Sequence, residues 1–133
     1  MIEDEKIQEA AKILKAGGIV VFPTETVYGI GANAFCEQAV ERIYKVKQRP
    51  KEKPLSVLIS DVSMVDELAI DVSQEERKVM EKFFPGPLTI VLKKSPKIPE
   101  IVTASKDTIG VRMPENEIAL KLIEKARKSI SNT

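Results

Sequence analysis

The sequence has no histidine and no tryptophan, a single cysteine, and aromatic residues at only 5%. Without histidine there is no Ser-His-Asp or Cys-His relay and no imidazole metal site. The lone Cys36 excludes a disulfide within the chain and a thiolate zinc cluster, and it suits a reducing compartment. Apolar runs extend over only a few residues, far short of the roughly 20 that span a bilayer. The opening Met1-Ile2-Glu3-Asp4-Glu5 is acidic and unlike a signal peptide. A cytoplasmic protein without membrane association is therefore expected. What is present is ordinary in amount: 133 residues, 43% hydrophobic and 31% charged, the proportions of one globular domain around one core. There is no internal repeat, low-complexity tract or linker.

The net charge of +1 argues for no polyanionic partner by itself, but its distribution is uneven. Residues 45–53 carry five basic and one acidic side chain, and residues 93–133 carry nine and five. Two basic blocks on a near-neutral chain point to a localised anion site.

Helical periodicity places Ile7, Ala10, Ala11 and Leu14 on one face of a helix over 3–16, with Gly17 at its C-cap. Ile19-Val20-Val21-Phe22 reads as a strand buried on both faces and ended by Pro23. A helix over 37–46 turns Val40, Ile43 and Tyr44 inward, and 55–59 forms the next strand. Ser63 and Ser73 are expected N-caps, Ser73 forming a capping box with Glu76. Residues 88–92 and 109–113 supply two more strands, and Pro114 suits the first position of a helix reaching about Arg127. Interspersed helices and strands predict an α/β domain over 1–133, with a twisted, mostly parallel or mixed sheet and flanking helices. Ser129 to Thr133 reads as the approach to another strand or loop, so the domain is expected to be cut short at its C-terminus.

Four segments could carry chemistry. Pro23-Thr24-Glu25-Thr26-Val27-Tyr28-Gly29-Ile30-Gly31 puts two hydroxyls, a carboxylate and a phenol just beyond a strand, where α/β sheets bind ligands. A plain turn with capping threonines reads the same way. Gly29 to Ala34 also fits the permissive G-x-G-x-x-A fingerprint, although six residues separate it from Phe22. In Lys45 to Pro54, Pro50 and Pro54 favour extended backbone, which would align Arg49, Lys51 and Lys53 on one face as a phosphate site. A solvated loop is the alternative. Phe83-Phe84-Pro85-Gly86-Pro87-Leu88-Thr89 needs only a turn. In Thr108-Ile109-Gly110-Val111-Arg112-Met113-Pro114, strand spacing puts Thr108, Gly110 and Arg112 on one face, where a buried arginine calls for an anion. An edge arginine reaching solvent is the alternative there. Cys36 and Tyr44 read as core or near-core residues.

In this order, P-T-E-T-V-Y-G-I-G, K-x-R-P-x-x-K-P-L, F-P-G-P-L-T and G-V-R-M-P resemble the YrdC-type family of L-threonylcarbamoyladenylate synthases, almost from the first helix through Pro114. The resemblance implies a nucleotidyltransferase that makes threonylcarbamoyl-AMP and pyrophosphate from ATP, L-threonine and bicarbonate, with Mg2+ on the triphosphate. The product would serve threonylcarbamoyladenosine modification of tRNA, with partner proteins of that pathway possible. It also implies a concave, basic cavity. Carried over by position, Thr26 and Arg112 would contact threonine, while Lys47, Arg49, Lys53 and Thr108 would hold ATP. The family's S-A-N-x-S-G segment does not occur before Thr133, and Leu58 stands where some members have histidine. Two other readings compete. One is a module binding tRNA or double-stranded RNA without chemistry, supported by the basic blocks but lacking an aromatic stacking platform. The other is a carbamoyl-transfer domain of the hydrogenase-maturation kind, weakened by the absence of zinc-finger cysteines.

Overall fold

The computed structural model describes residues 2–23 and 28–130. Helix α1 (Ile2–Lys15) buries Ile7, Ala11 and Leu14, the stripe its periodicity predicts. It ends at Gly17, whose φ of 84° lets the Gly17 and Gly18 N–H groups return to the Leu14 and Ile13 carbonyls. Strands β1 (Val20–Pro23) and β2 (Tyr28–Gly31) then pair antiparallel. The expectation of a strand buried on both faces fails here. Phe22 is buried but Val21 is 64% exposed, because β1 lies in a two-stranded ribbon covered on one side. Helix α2 (Glu37–Lys47) buries Ala39, Val40, Ile43 and Tyr44, and Gln48 caps it in the left-handed conformation.

The remaining elements are β3 (Ser56–Leu58), α3 (Val65–Leu68), β4 (Ala69–Ile70), α4 (Gln74–Phe83), β5 (Ile90–Lys94), β6 (Thr108–Arg112) and α5 (Glu117–Ile130). Four strands make one sheet in the order β3-β6-β5-β4. Only β3 and β6 run parallel, so the sheet is mixed rather than mostly parallel. The parallel pair β3 and β6 is joined by the long stretch that carries α3, α4 and the two antiparallel strands β4 and β5.

The caps show where local reading succeeds and where it fails. Ser73 and Glu76 form the expected capping box. Ser63 is not a cap. The Asp61 carboxylate accepts the Ser63 N–H at 2.8 Å and starts a 3-10 turn over Val62–Met64. Pro114 precedes α5, whose first turn is closed by the Asn116 side chain accepting the Ala119 N–H at 3.0 Å. Helix α5 runs through Ser129 and Ile130, which therefore are not strand-like, and residues 131–133 lie outside the described residues.

Among the described residues, two apolar clusters hold the molecule together. The first packs Val40 and Tyr44 of α2, Met80 of α4, Leu92 of β5, and Ile109 and Val111 of β6 against one face of the sheet. The second joins Ile7, Ala11 and Leu14 of α1 to Phe22 of β1 and to Ala119, Leu122 and Ala126 of α5. Leu58 of β3 packs on this second cluster from the opposite face of the sheet. Among the described residues no helix is long and apolar enough to cross a membrane.

Candidate functional site

The sheet face away from the main core carries the polar residues. Along β6, burial alternates so that Ile109 and Val111 are buried while Thr108 is exposed and Gly110 and Arg112 are half-buried. Cross-strand register extends the pattern. Gly110 lies level with Ser56 of β3 and Val91 of β5, Thr108 with Lys93, and Arg112 with Leu58. Residues directly opposite share a face, so Thr108, Gly110 and Arg112 stand with Ser56, Val91 and Lys93 on one surface, open except beside Arg112, where Leu58 packs against the cluster of α1 and α5. The Arg112 guanidinium does not float above it. Its Nε donates to the Gly86 carbonyl at 3.4 Å, and the Gly86 N–H donates to the Met113 carbonyl at 3.0 Å. The Pro85-Gly86-Pro87 segment thus braces the end of β6, a role that its turn chemistry alone does not reveal.

The basic run is not extended. A turn closes it, with the Lys53 N–H donating to the Pro50 carbonyl at 3.1 Å. Arg49, Lys51 and Lys53 therefore do not form a row on one face. Lys51 reaches Glu41 at 3.9 Å instead. The Arg49 guanidinium ties the turn together, Nη2 donating to the Pro54 carbonyl at 2.7 Å and Nε to the Lys53 carbonyl at 3.3 Å. Lys47 ends α2 and Lys53 precedes β3, both exposed. Because β3 and β6 are parallel, Lys53 stands toward the end of the sheet where β6 begins with Thr108.

Tyr44 completes this arrangement from below. Its hydroxyl stands 2.8 Å from the Lys53 carbonyl and 3.1 Å from the Ile101 carbonyl, which share its single proton as acceptors. Burial pushes the phenol up from its ordinary value, against the opposing pull of the neighbouring Arg49 guanidinium. The folded state thus holds this proton more tightly than the unfolded chain. Its contribution to stability is present below about pH 10 and is lost as pH rises through the folded pKa. Tyr44→Phe is expected to cost about 1–3 kcal/mol near neutrality, because the carbonyls lose a buried donor. Urea titrations of both proteins from pH 8 to 11 check this, and the gap should narrow at the alkaline end.

The first loop resolves less fully. Thr26, with Thr24, Glu25 and Val27, lies outside the described residues. Gly29 and Gly31 belong to β2, not to a strand-to-helix turn, so the dinucleotide fingerprint does not apply. The bare backbone at Gly31 accommodates the Phe22 ring, since a Cβ there would fall 2.5 Å from its Cε1 atom. Tyr28, at the start of β2, is 74% exposed.

A cavity of about 190 Å³ opens between β2, α2, β3 and α5. Its wall is mostly apolar, from side chains such as Phe22, Phe35, Leu55 and Leu122, with Asn33, Glu67 and the Ser56 of the sheet face among them. Among the described residues, Lys47, Arg49, Lys53, Thr108 and Arg112 do not lie on its wall, and it is not the basic cavity that the family resemblance implies. The polar chemistry sits on the open sheet face and the turn before β3. Cys36 is half-buried, near Gly17, as its core or near-core reading required.

Comparison with known proteins places the chain in a family. The family model Sua5_yciO_yrdC, described as telomere recombination, matches residues 12–133. The threonylcarbamoyl-AMP synthase of Pyrococcus abyssi is 47% identical over 130 residues, covering 98% of this chain and 38% of that protein. The Bacillus subtilis enzyme of the same name is 41% identical over 124 residues, covering 92% of this chain and 36% of its own length. The crystal structure of P. abyssi Sua5 complexed with L-threonine superposes with a TM-score of 0.90 at 47% identity, over 93% of this chain and 36% of that one. This chain thus spans less than two-fifths of the length of either relative.

Proposed function

The chain belongs to the Sua5, YciO and YrdC family, and on that premise we propose that it acts in threonylcarbamoyl-AMP synthesis, using ATP, L-threonine and bicarbonate. In this reaction the threonine amine attacks the bicarbonate carbon, forming an N–C bond and releasing water. A carbamate oxygen then attacks the α-phosphorus, and the bond to the pyrophosphate oxygen breaks. Both steps need positioning and charge neutralisation more than a reactive side chain. A chain with no histidine can therefore perform them.

The observation that supports this reading most is the polarity of the open sheet face. Arg112, at one end, offers a planar fork suited to a carboxylate. Thr108, Lys93 and the Lys53 turn stand toward the other end, about 13 Å along the strand, where phosphates would be held. We assign threonine to Arg112 and, through the segment beyond β1, to Thr26. ATP is assigned to Lys47, Lys53 and Thr108, with Arg49 shaping the turn that presents the lysines. Magnesium enters with ATP as part of the substrate. Among the described residues no group of three or more His, Cys, Asp or Glu side chains is placed to hold a metal ion, so the triphosphate would supply its ligands. The product would feed tRNA modification in the cytoplasm.

The test is pyrophosphate release from ATP by the purified chain. Release that requires threonine and bicarbonate together is the expected result. Release indifferent to threonine would remove the synthase reading, and retention of double-stranded RNA without any release would favour an RNA-binding module.

A further inference from the structure

Gly110 occupies the middle of β6, a strand paired on both sides, where glycine weakens the strand and packs nothing. Its own conformation does not require glycine, since Gly17 is the glycine with positive φ among the described residues. Packing constrains it only lightly. A Cβ at position 110 would lie 3.6 Å from the Ser56 hydroxyl, an ordinary contact, and 3.3 Å from the methyl of the exposed Thr89, which would have to give by a few tenths of an ångström. The conformational reason for a central-strand glycine is therefore missing, and the packing reason is confined to one exposed methyl. What remains is close approach of something from the open side, and the surroundings describe it. Ser56, Gly110 and Val91 form one row across three strands, a floor of a hydroxymethyl, a bare backbone and an isopropyl group that is 60% exposed. Arg112 lies at one end of this floor, with Thr108 and Lys93 at the other.

We propose that Gly110 is a positioning residue, kept free of a side chain so that the planar N-carboxylate of carbamoylated threonine can lie flat against β6. This rests on the synthase reading above. The N-carboxylate carbon stands only three bonds, about 4 Å, from the carboxylate carbon of the same molecule. A carboxylate held at Arg112 and phosphates held at the Thr108 end leave the carbamate between them, over Gly110. The group is flat and weakly hydrated on its faces, which suits a floor of backbone and Val91. Its edge oxygens would meet the Ser56 and Thr89 hydroxyls.

The experiment compares Gly110→Ala with the unaltered chain, using calorimetric titration of L-threonine and of N-carbamoyl-L-threonine, a stable planar mimic, together with thermal melting. The unaltered chain is expected to bind both ligands. Gly110→Ala should melt at an unchanged or higher temperature and bind free threonine within about twofold, yet bind the carbamoylated mimic at least about tenfold more weakly. Equal affinity of the variant for the mimic would overturn the proposal, as would a parallel loss of both ligands. If the unaltered chain binds neither ligand, the synthase reading fails first and this proposal falls with it. A lowered melting temperature in Gly110→Ala would show that the glycine serves packing, and would also overturn it.

Discussion

Arg112→Lys is expected to weaken L-threonine binding by roughly ten- to a hundredfold, the equivalent of losing one charge-assisted hydrogen bond worth about 1.5–3 kcal/mol. The charge survives the substitution but the fork does not. An ammonium cannot present two parallel N–H groups to one carboxylate while also reaching the Gly86 carbonyl that Arg112 now holds. ATP affinity should change much less, because the phosphates are assigned to the opposite end of the strand. Paired titrations of threonine and ATP against the variant check this. Normal threonine binding with lost ATP binding would move the arginine to the nucleotide. If neither ligand is affected, Arg112 serves only to brace the Gly86 segment.

Arg49 and Lys53 should part company. Both stand in the turn before β3, but only the Arg49 guanidinium is engaged with carbonyls of the turn. Arg49→Ala is expected to cost on the order of 1 kcal/mol of stability, discounted for its partial exposure, or roughly 4 °C of melting temperature. It should also weaken ATP binding, because the turn that presents Lys53 loses its tie. Lys53→Ala should weaken ATP binding while leaving stability within about 0.5 kcal/mol, as exposed substitutions usually do. Melting curves and ATP titrations of the two variants separate these effects. Equal melting temperatures would show that the arginine's hydrogen bonds to the turn contribute nothing measurable.

That pair also marks the limit of what could be read from the sequence. Alternation along β6 is a local property, and it correctly placed Thr108, Gly110 and Arg112 on one face. The stripe of α1, the inward face of α2 and the Ser73–Glu76 box are equally local and equally legible. The turn at Pro50 to Lys53 was not. Prolines restrict their predecessors, but side-chain bonds from Arg49 and Tyr44 to the Lys53 carbonyl, with Tyr44 also tied to Ile101 far along the chain, decide which allowed shape the backbone takes. Strand β2 is not legible because the two glycines of Tyr28-Gly29-Ile30-Gly31 interrupt the strand preference of Tyr28 and Ile30, and pairing with β1 makes it a strand. The bracing of Arg112 by Gly86 joins residues 26 positions apart, and no pattern in the sequence announces it.

Helices α1 and α5 form one cluster through residues such as Ala11 and Ala119, more than a hundred positions apart in the chain. During synthesis, Ile7, Ala11, Leu14 and Phe22 emerge long before the residues that cover them, and they must wait in solvent or in chaperone contacts. The sheet core, assembled from α2 onward, can condense first. Once that core has formed, α1 and β1 still have to be ordered against α5, and only this last packing offsets the backbone entropy they lose. Folding should therefore finish where the chain began, and a nascent chain halted before α5 should offer its first helix to proteases and chaperones.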